Sequence, residues 1–163
     1  MDVLWSPWRY AYITDESKRT LPKDACVFCE LLKINDDEKT LILHRAKYNF
    51  VILNIYPYIT GHLMIVPFEH TADLDAIEKE ITDEMMDLTK QSTTALREVY
   101  APQGFNIGIN IGSAAGAGIA GHIHQHVMPR WSGDANFVTT ICETRVIPED
   151  LQTTYAKLKD KFK

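Results

Sequence analysis

His122-Ile123-His124-Gln125-His126-Val127-Met128 is the stretch that decides how this chain is read. Along an extended strand successive side chains point to opposite faces, so positions 122, 124 and 126 project together. Three imidazoles then stand in a row, with Ile123 and Val127 on the reverse face as a half-buried strand requires. Imidazole acts as a nucleophile, moves protons near neutral pH and is the commonest nitrogen ligand of metals. The bland alternative, a surface cluster or an adventitious chelator, does not account for the alternation with apolar residues.

Working outward, Gly116-Ala117-Gly118-Ile119-Ala120-Gly121 precedes the histidines and spells a G-x-G-x-x-G. A dinucleotide-binding fingerprint must open a helix within a βαβ unit, whereas this one runs into a period-two segment, so that reading fails. No Gly-Lys-Ser/Thr follows, which excludes a P-loop. What remains is a loop, Gly112 to Gly121, that either brings backbone N–H groups close to an anion or is a plain flexible connector.

Further out, Cys26-Val27-Phe28-Cys29 has the spacing of a zinc knuckle, and His70 and His122 are available to complete a Cys₂His₂ set. A redox-active thiol pair is the rival, although the βαβ context of a thioredoxin-like site is missing. Cys142 is isolated and reads as a small buried hydrophobe. No Ser or Cys nucleophile stands near His124 and His126, so a histidine itself becomes the candidate nucleophile, with phosphorus as its natural target. Arg130 and Arg145 could add local positive charge.

The remaining pattern predicts strands over Leu41 to His44, Phe50 to Asn54, Leu63 to Val66, Phe105 to Ile111 and the histidine segment from His122 to Val127. A short helix is expected at Glu30 to Lys33. Asp73 to Tyr100 contains neither Gly nor Pro and predicts the main helix, with an interruption near Thr82; Pro148 to Phe162 predicts a terminal helix with Pro148 in its first turn. The aromatic start, with Trp5, Trp8, Tyr10 and Tyr12, is expected to dock on the body of the protein.

The 163 residues fit one domain, long enough to bury about two thirds of the unfolded surface without a disulfide scaffold. A net charge of −5 with interspersed signs argues against a nucleic-acid polymer or an anionic membrane as partner. No apolar run is long enough to cross a bilayer and the N-terminus lacks a signal-peptide core, so the expected location is cytoplasmic.

The histidine stretch resembles the signature of the histidine-triad (HIT) superfamily. The likeness extends to Asn54-Ile55-Tyr56-Pro57 and Gly61-His62-Leu63-Met64-Ile65-Val66-Pro67, which look like the family's nucleoside-binding strand pair, and to Pro129-Arg130. Arg130 to Phe137 and Glu143 to Pro148 are similar to the bacterial branch described as diadenosine tetraphosphate phosphorylases.

The resemblance implies one HIT-like domain over 1–163, with a docking segment at 1–24 and a C-terminal extension and helix at 138–163. Its fold would be α+β, a five-stranded antiparallel sheet with one long helix and a C-terminal helix, and two copies would join into a continuous sheet. It further implies nucleotidyl transfer through His124, the middle histidine, with His126 assisting at the phosphate. Asn54, His62 and Asn110 fall where members contact ribose or support the triad, and Ser113 and Gly118 join the nucleotide-binding set. By the same resemblance Cys26, Cys29, His70 and His122 would hold a structural Zn²⁺, with Mg²⁺ an optional companion of the polyphosphate. Phosphorolysis of diadenosine tetraphosphate is the expected reaction. Hydrolysis of dinucleoside polyphosphates or nucleoside phosphoramidates is the runner-up, and a nucleotide-binding interaction protein with little turnover is the alternative of another class. Gln125 departs from the family pattern, which places an apolar residue there.

Overall fold

The computed structural model describes residues 25–136, 139, 141 and 146–162. The expectations for segment 1–24, Cys142 and Arg145 lie outside them. Five strands, β1 (Ile42–Arg45), β2 (Asn49–Leu53), β3 (Leu63–Pro67), β4 (Gly104–Ile109) and β5 (Gln125–Arg130), form one antiparallel sheet in the order β1-β2-β3-β5-β4. The helices among the described residues include α1 (Val27–Lys33), α2 (Asp37–Thr40), α3 (Lys79–Tyr100) and α4 (Leu151–Leu158). This is the α+β architecture that the resemblance implies.

The central strands carry continuous apolar runs because the sheet is covered on both faces. Val51, Leu53, Leu63, Ile65 and Val127 pack under Met85, Leu88 and Leu96 of α3 and Leu158 of α4. On the reverse face Phe50, Ile52, Met64 and Val66 pack with Phe28 of α1. Each such side chain contributes roughly 1.5–3 kcal/mol on burial, which makes a one-residue slip of β2 or β3 costly. Helix α3 presents Ile81, Met85, Leu88, Thr89, Ser92, Ala95 and Leu96 to the sheet, at the three-and-four spacing of one helical face. It stops at Ala101, which adopts a left-handed φ of 45° ahead of Pro102.

Three boundaries differ from the sequence reading, and each has a local cause. The long helix is broken before Lys79 rather than near Thr82: Leu74–Ala76 is a 3₁₀ turn, then Ile77 and Glu78 are extended. That break lets Ile77 pack with Ile81 and Ile123. The terminal helix starts at Leu151, not Pro148, because the Asp150 carboxylate caps it by accepting from the Thr153 N–H at 2.9 Å. Most consequential, β5 starts at Gln125, so His122 and His124 precede the strand. The Pro67 carbonyl accepts from the His122 ring at 2.9 Å, and the Ile123 N–H donates to Thr71 O at 2.7 Å. These bonds carry the chain away from the β3 ladder, whose pairing with β5 ends at Ile65 and Gln125.

Candidate functional site

The turn from β2 to β3 places the first polar residues of the site. Gly61 has a φ of 74°, and a Cβ there would lie 3.0 Å from the Leu96 side chain, so this close approach to α3 calls for glycine. His62 follows with only 1% of its surface exposed. Its Nδ1 accepts from the Tyr58 backbone N–H at 3.1 Å and lies 3.4 Å from the Asn54 amide nitrogen. The Asn54 oxygen accepts from the Tyr56 N–H at 2.8 Å, which orients that amide. With Nδ1 of His62 an acceptor, its proton sits on Nε2 and is donated to His126 Nδ1 at 2.9 Å. The neutral His126 therefore carries its proton on Nε2.

His124 holds the opposite tautomer. Its Nδ1 lies 2.8 Å from the His122 carbonyl, which can only accept, so a proton is on Nδ1, and in the neutral ring it is Nε2 that keeps the free lone pair. The His124 and His126 rings meet edge to face with centroids 5.0 Å apart. A bare nitrogen and an N–H donor thus stand side by side, the pair that nucleophilic attack at phosphorus with assistance to an oxygen requires. Burial, followed by the neighbouring histidines His126 and His124, pushes the His62 pKa down to about 3. Burial and then His124 push His126 down to about 4. Near neutral pH both are uncharged, as the tautomer chain demands.

A second cluster adjoins the first. Cys26 Sγ lies 3.2 Å from His122 Nδ1, Cys29 Sγ 3.8 Å from the same atom and 3.4 Å from His70 Nδ1. All four ligand atoms fall within 4.8 Å of one another. Ligands about 2.0–2.3 Å from a tetrahedral zinc stand about 3.3–3.8 Å apart, so the donor set and its spacing fit such an ion with small adjustments. The His122 Nε2–H is donated to Pro67 O, leaving Nδ1 free to face the thiols, the outer hydrogen bond that orients a ligating histidine. Burial and the neighbouring Cys26 thiol raise the Cys29 pKa, and burial lowers that of His122.

Phe28, unnoticed in the sequence reading although it lies inside Cys-x-x-Cys, joins the two clusters. It is 1% exposed, and its ring centroid lies 5.3 Å from that of His122 and 5.2 Å from that of His124. The other expected residues are placed less tightly. Asn110 is half-buried just beyond β4, whereas Ser113 and Gly118 stand exposed on the loop. Among the described residues no hydrogen bond joins these three to the histidines. Arg130 lies at the far end of β5, where its guanidinium bonds Asp134 and Asn106 at 2.5 Å each, so its charge is already engaged. Tyr58, in the turn before β3, also joins the site, its ring centroid 4.8 Å from that of His62.

The HIT domain family model matches residues 35–133, and this chain belongs to the HIT domain family. It is 37% identical over 155 residues to the AP-4-A phosphorylase of Mycobacterium tuberculosis, spanning 93% of this chain and 79% of that one. That likeness makes it an enzyme of the phosphorylase-like branch of the family. An adenosine 5'-monophosphoramidase of Schizosaccharomyces pombe is 24% identical, over 85% of this chain and 99% of its own. A crystal structure of a zinc-bound histidine triad family protein from Mycobacterium smegmatis superposes with a TM-score of 0.69 at 30% identity, covering 84% of this chain and 92% of that one. No helix among the described residues is long and apolar enough to cross a membrane.

Proposed function

We propose that this chain is a homodimeric nucleotidyltransferase that phosphorolyses diadenosine tetraphosphate, with one HIT unit per chain. The observation that carries the reading is the pair of contacts, His124 Nδ1 on the His122 carbonyl and His126 Nδ1 on His62 Nε2, which assign a bare Nε2 to neutral His124 and an Nε2–H to His126. His124 Nε2 attacks one α-phosphorus, the bond to the bridging oxygen breaks, and ATP leaves with His126 donating a hydrogen bond to that oxygen. AMP is then held on His124. An oxygen of inorganic phosphate attacks the same phosphorus, the nitrogen–phosphorus bond breaks, and ADP leaves. The likeness to a named AP-4-A phosphorylase supports phosphate as the acceptor. Asn54, His62 and Asn110, with Ser113 and Gly118 of the loop, form the nucleotide-binding set.

Cys26, Cys29, His70 and His122 would hold zinc in a closed structural site. Cys26 and Cys29 as thiolates and His70 and His122 as neutral imidazoles would hold the ion, whose binding would contribute folding energy. A Cys-x-x-Cys pair that serves a metal rather than a disulfide suits a reducing compartment, which supports the cytoplasm as the place of work.

The test is to incubate the protein with diadenosine tetraphosphate, with and without inorganic phosphate, and to separate the products. ATP and ADP appearing only with phosphate is the expected result. AMP and ATP at saturating phosphate would move the reading to hydrolysis, which the likeness to the monophosphoramidase supports. No turnover of any dinucleoside polyphosphate or phosphoramidate would leave a nucleotide-binding protein.

A further inference from the structure

Gln125 is the one polar residue that faces away from the histidines in the signature stretch, and the proposed chemistry does not use it. It is buried, at 6% exposure, on the apolar side of the sheet. Its amide nitrogen donates to Thr89 Oγ1 on α3 at 2.7 Å, and that hydroxyl donates in turn to Met85 O at 2.7 Å. Thr89 is 4% exposed, so the bond is shielded from water on both sides. A buried amide here costs more than an apolar side chain unless its bond does something the apolar residue could not.

Its place in the sheet says what that is. Gln125 is the first residue of β5, paired with Ile65 on one side and Ile109 on the other, and the chain before it has left the ladder. His124 is thus the last residue outside the strand and His126 the second inside it. The helix, bonded to Gln125 at its middle, is also tied to β5 where both end, the Trp131 ring N–H donating to Tyr100 O at 3.3 Å. One strand is pinned to one helix at two points, and one of these points lies between the two active-site histidines.

We propose that Gln125 is a positioning residue, whose bond to Thr89 fixes where the chain joins β5 and so the relative placement of His124 Nε2 and His126 Nε2–H. The inference rests on the catalytic reading above for its kinetic consequence, and on geometry alone for its spectroscopic one. A misplacement of about 1 Å between reacting groups costs about a hundredfold in rate, so a loose strand start would be felt in kcat before it is felt in binding.

The experiment uses the protein as purified, with Gln125→Leu, Thr89→Val, their combination and Thr89→Ser. In the combined variant both buried polar partners are gone while shape and apolar contact remain, so it is expected to stay folded; Thr89→Val alone leaves the Gln125 amide unpaired and should be less stable than the combination. Imidazole ¹⁵N–¹H correlation spectra, which need no turnover, should lose the single-tautomer signals of His124 and His126 in Gln125→Leu and Thr89→Val and retain them in Thr89→Ser. With diadenosine tetraphosphate, kcat should fall about tenfold or more while KM stays within about twofold, and the double variant should lose no more than the worse single one. Unchanged imidazole signals would overturn the proposal, as would a rate loss that follows only the loss of thermal stability, or single losses that multiply. If Gln125→Leu does not fold, the contrast between Thr89→Val and Thr89→Ser decides the same point. A wild-type protein without turnover counts against the catalytic reading and leaves the spectra to decide the positioning.

Discussion

His124 and His126 differ in which nitrogen keeps the proton, and neither assignment is a property of histidine. One is imposed by a carbonyl, the other by a relay that starts at the Tyr58 backbone N–H and passes through His62. If His124 Nε2 is the attacking atom, His124→Ala should lower kcat by about ten-thousand-fold or more while nucleotide affinity changes little; His126→Ala should cost less. Rapid quench with labelled substrate checks this, and a nucleotidyl adduct on another residue would remove His124 from its role. The relay also has a pH signature. The His62 and His126 pKa values are depressed on folding, from 6.5 to about 3 and about 4. The unfolded chain therefore binds protons there that the folded chain refuses, so stability is fully present above pH 6.5 and falls as the pH drops from there to about 3. Urea midpoints at pH 7 and pH 5 should show this loss, and His62→Asn should show a smaller one. An equal loss in both proteins would mean that His62 does not titrate as described. The identity of the histidines was legible from period-two alternation. Their tautomers were not, because they depend on carbonyl and amide groups distant in sequence.

At the scale of elements, α1 and the segment before β5 are held together by side chains rather than by a ladder. His122 serves both clusters: its ring faces the thiols while its own carbonyl holds the His124 Nδ1–H. Zinc in this site would consequently steady the nucleophile as well as the fold. Metal analysis of protein purified without chelators should give about one zinc per chain, and Cys26→Ser or Cys29→Ser should lower zinc content and melting temperature together. Well below one zinc per wild-type chain would defeat the assignment. Phe28→Ala, which opens a cavity between α1, His122 and His124, should cost about 3–5 kcal/mol by chemical denaturation. The Cys-x-x-Cys spacing made this region visible in the sequence, and apolar runs located β2 and β3 within a residue. The late start of β5 and the break before α3 were not visible. Alternation continues through His122 and His124 although their neighbours are no longer strand partners, and nothing in Ile77-Glu78 marks a break that exists so that Ile77 can meet Ile123.

At the scale of the whole molecule, β4 is an edge strand, hydrogen-bonded to β5 on one side only within the described sheet. Phe105 and Ile109 on its helix-side face pack partly against the core, but Ile107 between them is 47% exposed. Long exposed edges with apolar side chains invite pairing with another chain, and proteins that must stay monomeric blunt them with charge or proline. Gly104 to Ile109 carries neither. A second copy pairing here would continue the sheet and cover Ile107, in keeping with the homodimer proposed above. Placing an ammonium group in that interface would require its desolvation without a built-in partner, so Ile107→Lys should shift the protein from dimer towards monomer. The substitution lies on an exposed position of a single chain, and its effect on the monomer's stability should stay within about 0.5 kcal/mol. Sedimentation velocity over a range of micromolar concentrations measures the shift. A monomeric wild type would reject the dimer outright, and a dimer that survives Ile107→Lys unchanged would place its interface elsewhere than β4.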